Sequence, residues 1–126
     1  MMICPYVTFN GECEKAFNFY LEAFGGGNTQ FVRANNEPTN PIMHATMTFT
    51  NCEGMIMGAD VEEKVVISGA AICVVLPSRQ VIEEVSAKLS EGGILVQGFL
   101  PHPPPHEHDG GATVLDRYGY TWHLST

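Results

Sequence analysis

The sequence predicts an α+β fold in which two βαβββ modules form a cupped mixed β-sheet with the helices on the outer face. The order strand, helix and glycine pair occurs twice, at residues 3–27 and 70–93. Several segments also alternate apolar and polar residues, which is typical of strands with one buried face. A repeat of this length is too long for a solenoid unit and indicates a duplicated module. We expect one domain, residues 1–126, with modules at about 1–60 and 70–126 and a connection at 61–69.

The first predicted helix lies between Glu12 and Phe24, with Asn10 as its expected N-cap and Gly25-Gly26-Gly27 as its end. The second runs from Ser78, its expected N-cap, to Glu91, and Gly92-Gly93 ends it. Each helix has an apolar stripe at helical spacing, which predicts the side that packs on a sheet. The stripe residues are Phe17, Tyr20, Leu21 and Phe24 in the first helix and Val81, Val85 and Leu89 in the second.

Three predicted strands alternate with a period of two, so that one face of each is apolar and the other is polar. The apolar positions are Ile3, Pro5, Val7, Phe9, Met43, Ala45, Met47, Phe49, Tyr120, Trp122 and Leu124. The polar positions are Cys4, Tyr6, Thr8, His44, Thr46, Thr48, Thr50, Thr121, His123 and Ser125. We expect the apolar faces to pack under the helices.

The polar faces contain threonines and histidines where a solvated sheet usually has Lys and Glu. This composition favours a sheltered, concave binding surface, and the alternative is a half-solvated antiparallel sheet. We expect one pocket lined by Tyr6, Thr8, His44, Thr46 and His123. Each histidine is either a general base, a ligand or a simple hydrogen-bonding residue.

Composition excludes several classes of function. A net charge of −8 opposes binding to nucleic acids and to anionic membranes. The chain has neither a signal-peptide pattern nor an apolar run long enough to cross a bilayer, so we expect a cytoplasmic protein. The cysteines form no close-spaced pair and predict buried thiols in a reducing compartment. They are Cys4, Cys13, Cys52 and Cys73.

The segment 101–109 is the one compositionally biased stretch, with four prolines around three histidines and two acidic residues. Its His102, His106, Glu107, His108 and Asp109 are possible metal ligands. A metal site needs ligands that converge from a fixed frame, so an exposed loop at the rim of the site is the preferred interpretation. Elsewhere, Asp116 is expected to cap the turn before the last strand. No dinucleotide-binding, P-loop or serine-hydrolase motif is present.

The chain resembles the PhnB-like proteins of the vicinal oxygen chelate superfamily, which also contains glyoxalase I, bleomycin-resistance proteins and extradiol dioxygenases. The matching segments cover nearly the whole chain. They are residues 5–11, 16–20, 24–26, 43–45, 57–60, 89–93 and 114–119, with Trp122. The resemblance implies the glyoxalase/bleomycin resistance/dioxygenase fold and pairing of two chains, sometimes with modules exchanged between them.

The metalloenzymes of this superfamily hold one divalent ion with His, Glu or Gln from the first and last strands of each module. The resemblance puts these four positions near Cys4, near Met57, near Ala70 or Ala71, and at His123. Only His123 is a good ligand, because alanine cannot bind a metal and methionine suits a hard ion poorly. We therefore expect no classical metal site and no cofactor, with a divalent metal as the alternative.

These inferences predict a homodimer that binds a small organic molecule, without nucleic acid or membrane partners. The expected ligand-binding residues are Cys4, Tyr6, Thr8, His44, Thr46, Met57, His108 and His123. One alternative is a metal-dependent lyase, isomerase or dioxygenase that uses His44, His123 and the histidine loop. Another is a resistance-type protein that sequesters a drug without chemistry. Catalytic residues are not assigned.

Overall fold

The computed structural model describes residues 1–64 and 68–126 and divides the chain into two compact units, Met1–Ile67 and Ser68–Thr126. Each unit follows the order strand, helix, three strands, which confirms the predicted pair of βαβββ modules. The predicted connection at 61–69 includes positions 65–67, which lie outside the described residues.

The first unit contains a four-stranded mixed sheet and one helix. Its elements are β1 (Tyr6–Phe9), α1 (Cys13–Ala23), β2 (Gly27–Arg33), a short 3-10 helix (Ala34–Asn36), β3 (Ile42–Phe49) and β4 (Ile56–Asp60). The strand order is β1-β4-β3-β2, with β1 parallel to β4 and the other neighbours antiparallel.

The second unit repeats this arrangement. Its elements are β5 (Ile72–Val75), α2 (Arg79–Leu89), β6 (Ile94–Pro101), β7 (Gly110–Leu115) and β8 (Thr121–Ser125). The strand order is β5-β8-β7-β6, again with one parallel pair, β5 and β8. No helix in the described parts of the chain has the length and apolarity needed to cross a bilayer.

In each unit the helix covers one face of the sheet, which we call the helix face; the opposite face is the distal face. In the first unit the Phe17 ring of α1 lies on the sheet, with centroids 6.2 Å from the rings of both Phe9 and Phe31. A Cβ atom added to Gly58 would stand 2.9 Å from Cζ of Phe17, so only glycine at 58 lets this ring approach the strand. Val7 and Met47 are buried on the same face, as predicted.

The helix face of the second unit is apolar throughout its centre. Trp122, Val114 and Leu124 are fully buried there beneath α2, which contributes Ile82 and Leu89. The N-terminus of α2 is capped as predicted, because the Val81 N–H donates to Ser78 Oγ over 3.3 Å. This cap ends the extended segment and starts the helix at the position that the sequence indicated.

The structure corrects two predictions about the first unit. Strand β1 starts only at Tyr6, and Ile3, expected on the buried face, is 91% exposed. Strand β1 pairs with β4, and this pairing begins at Tyr6, which lies opposite Met57. Asn10 is not the helix cap, because Glu12 occupies that position and makes no side-chain cap bond.

A β-bulge corrects the expected alternation of β3. The register shifts between Val32 and Arg33, which pair with His44 and Ile42 respectively. Met43 therefore stands outside the pairing and is exposed, and Ile42 is buried in its place. The remaining alternation of β3 follows the prediction.

The cysteines are also less buried than predicted. Cys13 is buried, Cys4 is half-buried, and Cys52 and Cys73 are exposed. Burial, followed by the neighbouring Asp60 carboxylate, raises the pKa of the Cys13 thiol to about 12. Cys13 is therefore an uncharged packing residue and not a nucleophile.

In each unit, one aspartate carboxylate accepts hydrogen bonds from backbone N–H groups close to the ends of strands. Asp60 accepts hydrogen bonds from the N–H groups of Cys13 (3.0 Å) and Ile42 (3.1 Å), and so ties β4 to the starts of α1 and β3. Asp116, which is buried, accepts bonds from the N–H groups of Tyr118 and Tyr120. Its second oxygen accepts a bond from Trp122 Nε1 over 2.8 Å, which joins the turn to the core.

Replacing Asp116 should cost more stability than any surface carboxylate. We expect Asp116→Ala to lower the free energy of unfolding by about 3 kcal/mol, because it leaves a buried indole N–H and two turn amides without their acceptor. Asp60→Ala should cost about 2 kcal/mol on the same grounds. Urea denaturation measures both, with exposed Glu62→Ala as the control. An Asp116→Ala variant as stable as Glu62→Ala would contradict this role.

Candidate functional site

The distal face of the first unit is crossed by one row of side chains, one from each strand. Tyr6 pairs with Met57, Met57 pairs with Thr46, and Thr46 pairs with Gln30. Directly opposed positions on neighbouring strands have their Cβ atoms about 5 Å apart, so the four side chains form a continuous strip. Tyr6, at the edge, is 54% exposed.

The adjacent rows complete this face. Thr8 pairs with Ala59, and His44 pairs with Val32. The predicted site residues Tyr6, Thr8, His44, Thr46 and Met57 therefore share the distal face of one sheet. Cys4 precedes β1 and is half-buried.

The distal face of the second unit has an equivalent row. Cys73 pairs with His123, His123 pairs with Thr113, and Thr113 pairs with Gln97. A second row runs through Val75, Ser125, Gly111 and Leu100. His123 is the predicted site residue of this face.

Two neighbours on β7 set the orientation of the His123 ring. Its Nδ1 lies 3.5 Å from Thr113 Oγ1, and which atom donates depends on the tautomer. A Cβ atom at Gly111 would stand 3.0 Å from Cε1 and 3.1 Å from Nε2 of the same ring. The imidazole therefore lies across β7 in the space that Gly111 leaves free, between the backbone and Thr113.

His108 lies in the exposed loop between β6 and β7. Backbone hydrogen bonds close this loop: His102 N–H donates to Asp109 O (2.8 Å), and Asp109 N–H donates to His106 O (3.0 Å). Throughout residues 1–64 and 68–126, no group of three or more His, Cys, Asp or Glu side chains is placed to hold a metal ion.

The register shows which residues lie beside two of the four positions that the resemblance implies for a metal. Tyr6 lies opposite Met57, and Cys73 lies opposite His123. These four residues offer a phenol, a thioether, a thiol and one imidazole. This set contains no carboxylate and does not fit a hard, oxygen-preferring divalent ion.

Sequence reasoning missed several residues of these faces. Gln30, Cys73, Thr113 and Gln97 each lie in the central rows, and Gly111 makes room for His123. The alternation of β7 was a usable signal, since Thr113 stands between the apolar residues Ala112 and Val114, whereas Asn28-Thr29-Gln30 in β2 are polar throughout. Their partners across the sheet were not readable from spacing alone.

Gly111→Ala should displace the His123 ring. The new methyl group would lie 2.8 Å from the carbonyl oxygen of Leu124, so the strand or the ring must move. We expect the imidazole 1H–13C signals of His123 to shift and the free energy of unfolding to fall by about 1–3 kcal/mol. Gly98→Ala in β6 is the control, because an added Cβ there meets nothing within 4 Å. Unchanged His123 signals in Gly111→Ala would contradict the assigned ring position.

Comparison with known proteins agrees with this architecture. The family model of 3-demethylubiquinone-9 3-methyltransferase matches residues 1–125. The crystal structure of protein PA1353 from Pseudomonas aeruginosa superposes with a TM-score of 0.82 at 25% identity, covering 99% of this chain and 96% of that one. No curated protein gives a significant match to the sequence.

Two further structures share the fold. One is a putative 3-demethylubiquinone-9 3-methyltransferase, PhnB protein, from Bacillus cereus (TM-score 0.76, 23% identity, 99% and 98% of the two chains). The other is a member of the glyoxalase/bleomycin resistance protein/dioxygenase superfamily from Sphaerobacter thermophilus (TM-score 0.63, 16% identity, 99% and 97%). The family match along nearly its full length shows that the chain belongs to the 3-demethylubiquinone-9 3-methyltransferase family. Its two βαβββ modules give it the fold of the glyoxalase/bleomycin resistance protein/dioxygenase superfamily member from Sphaerobacter thermophilus.

Proposed function

We propose that this protein binds a small organic molecule on the distal faces of its sheets and does so without the classical metal site. The observation that carries the proposal is the pair of central rows, Tyr6–Met57–Thr46–Gln30 and Cys73–His123–Thr113–Gln97. Both rows put hydrogen-bonding groups on the sheet face that no helix of the same unit covers.

The side chains of the first row are suited to a ligand with both apolar and polar parts. Tyr6 and Met57 offer a ring and a polarisable thioether for an apolar body. Thr46 and Gln30 offer both donors and acceptors for hydroxyl, carbonyl or amide groups. The proposed ligand-binding residues are Cys4, Tyr6, Thr8, His44, Thr46, Met57, His108 and His123, to which the pairing adds Gln30, Cys73 and Thr113.

We do not extend to this chain the methyl transfer that its family's name describes. The sequence has no glycine-rich motif of the kind that binds S-adenosylmethionine. Metal-dependent chemistry at the four positions that the resemblance implies is disfavoured by their donor set, since only His123 among them is a good ligand. Binding without an assigned reaction is the function that these residues support best.

Native mass spectrometry of freshly purified, tag-free protein tests for a co-purified ligand, and NMR titration with 1-naphthol tests the faces directly. We expect His44→Ala and His123→Ala each to raise the Kd for 1-naphthol about tenfold, the equivalent of one lost hydrogen bond. Their melting temperatures should change little, because His123 is exposed and His44 half-buried. Exposed Asn18→Ala on α1 is the control. Equal affinity in all variants would exclude both histidines from the site.

We also propose that the protein is a cytoplasmic homodimer. Val75, Ile94, Val96 and Leu100 are all more than half exposed, and they lie on β5 and β6, the two edge strands of the second sheet. Exposed apolar edge strands favour association, and a second copy of the chain is the partner that the superfamily resemblance implies. The exposed free thiols of Cys52 and Cys73 suit a reducing compartment.

Multi-angle light scattering should give a mass of about twice 13.8 kDa at micromolar concentration. A charge at the edge should break the dimer, so Val96→Lys is expected to run as a monomer, whereas Ala87→Lys on the exposed side of α2 should not. A wild-type mass of one chain would refute the homodimer.

A further inference from the structure

We propose that the distal faces select an uncharged ligand, with an aromatic or aliphatic body and hydroxyl, carbonyl or amide groups. This inference rests on the proposed binding function and specifies the chemical class of the ligand. It follows from where the protein places its charges.

The strands contain almost none of the chain's charged residues. The sequence has 14 acidic and 6 basic residues. Within the eight described strands, only Arg33 and Asp60 carry a charge. All other charged residues lie in helices or in loops.

Both strand charges are directed to the helix face of the first sheet. Arg33 pairs with Glu14 on α1, and its Nη1 donates to Asn40 O over 2.7 Å. Asp60 accepts the N–H groups of Cys13 and Ile42. Each charged side chain therefore has its hydrogen-bonding partners within the first unit and does not lie on the distal face.

The distal strand positions of both units consequently contain neither Lys, Arg, Asp nor Glu. The side chains there that can gain or lose a proton are Tyr6, His44, Cys73 and His123. An ionised ligand group transferred from water to these strands loses hydration and meets no opposite charge on them, which is unfavourable. Hydroxyl, amide and imidazole groups can instead both donate and accept, which matches neutral polar substituents.

The experiment compares three probes with one ring system and different charges: 1-naphthol, 1-naphthalenesulfonate and 1-naphthylmethylammonium. Each is titrated into the 15N-labelled protein, and Kd is taken from the shifts of amides in the eight strands. The measurements use about pH 7.5, above the pKa of free imidazole. Salt at about 0.3 M screens the long-range field of the −8 net charge, so that the preference reports local contacts. We expect naphthol to bind at least about tenfold more tightly than either ion.

A single charge introduced on a distal face should change this order. Gln30 and Gln97 are exposed and end the two central rows, so lysine at either position puts an ammonium beside the ligand without filling the core. We expect Gln30→Lys or Gln97→Lys to tighten sulfonate binding about tenfold and to weaken ammonium binding. Asn18→Lys adds the same charge on the exposed side of α1 and should leave all three affinities unchanged.

The outcomes separate the two proposals. If either ion binds the wild-type strands as tightly as naphthol, the neutral-ligand inference is wrong although the binding function stands. An unchanged preference in both folded lysine variants would likewise overturn it. If none of the three probes shifts strand amides, the proposed binding function fails and this inference fails with it.

Discussion

Burial of one sheet face beneath one helix is the constraint on which each unit depends. An eleven-residue helix can cover only one side of a four-stranded sheet, so the side chains of every strand divide into two sets. Phe17 and Trp122 anchor the covered sets, and the close approach of Phe17 requires glycine at position 58. The side chains of the other set do not pack against the helix of their own unit, so binding groups can occupy these positions.

Two aspartates, half-buried Asp60 and buried Asp116, place polar side chains next to the packed helix faces. Asp60 and Asp116 accept hydrogen bonds from backbone N–H groups at the start of α1, at the start of β3 and in the turn before β8. Asp116 also accepts a hydrogen bond from the buried indole of Trp122. Because these charges serve the fold, none of them is presented to a ligand.

The division of each sheet into a helix face and a distal face also bears on how this chain compares with the metalloenzymes of the superfamily. The helix faces maintain the architecture with apolar side chains at their centres, and structures at 16–25% identity have the same fold. The helix of each unit packs on the opposite face, so a change of the distal side chains leaves this helix–sheet core in place. The resemblance implies metal-binding positions near Met57 and at His123, and in this chain Tyr6 and Cys73 lie opposite these two residues. The strand pairs β1–β4 and β5–β8 therefore have uncharged side chains on their distal faces.

The sequence by itself determined the two modules, the Ser78 cap and the faces of His44 and His123, because periodicity and capping are local properties. It predicted the helix stripes in part: Phe17, Tyr20, Val85 and Leu89 are buried, whereas Ile82 is buried in place of Val81. Only the tertiary structure decided which residues meet across strands. Cys73 lies opposite His123 and Tyr6 opposite Met57 through parallel pairings that close long loops, and spacing does not encode such a register. The bulge that exposes Met43 and the space that Gly111 leaves for the His123 ring likewise depend on a neighbouring strand, and so does the late start of β1.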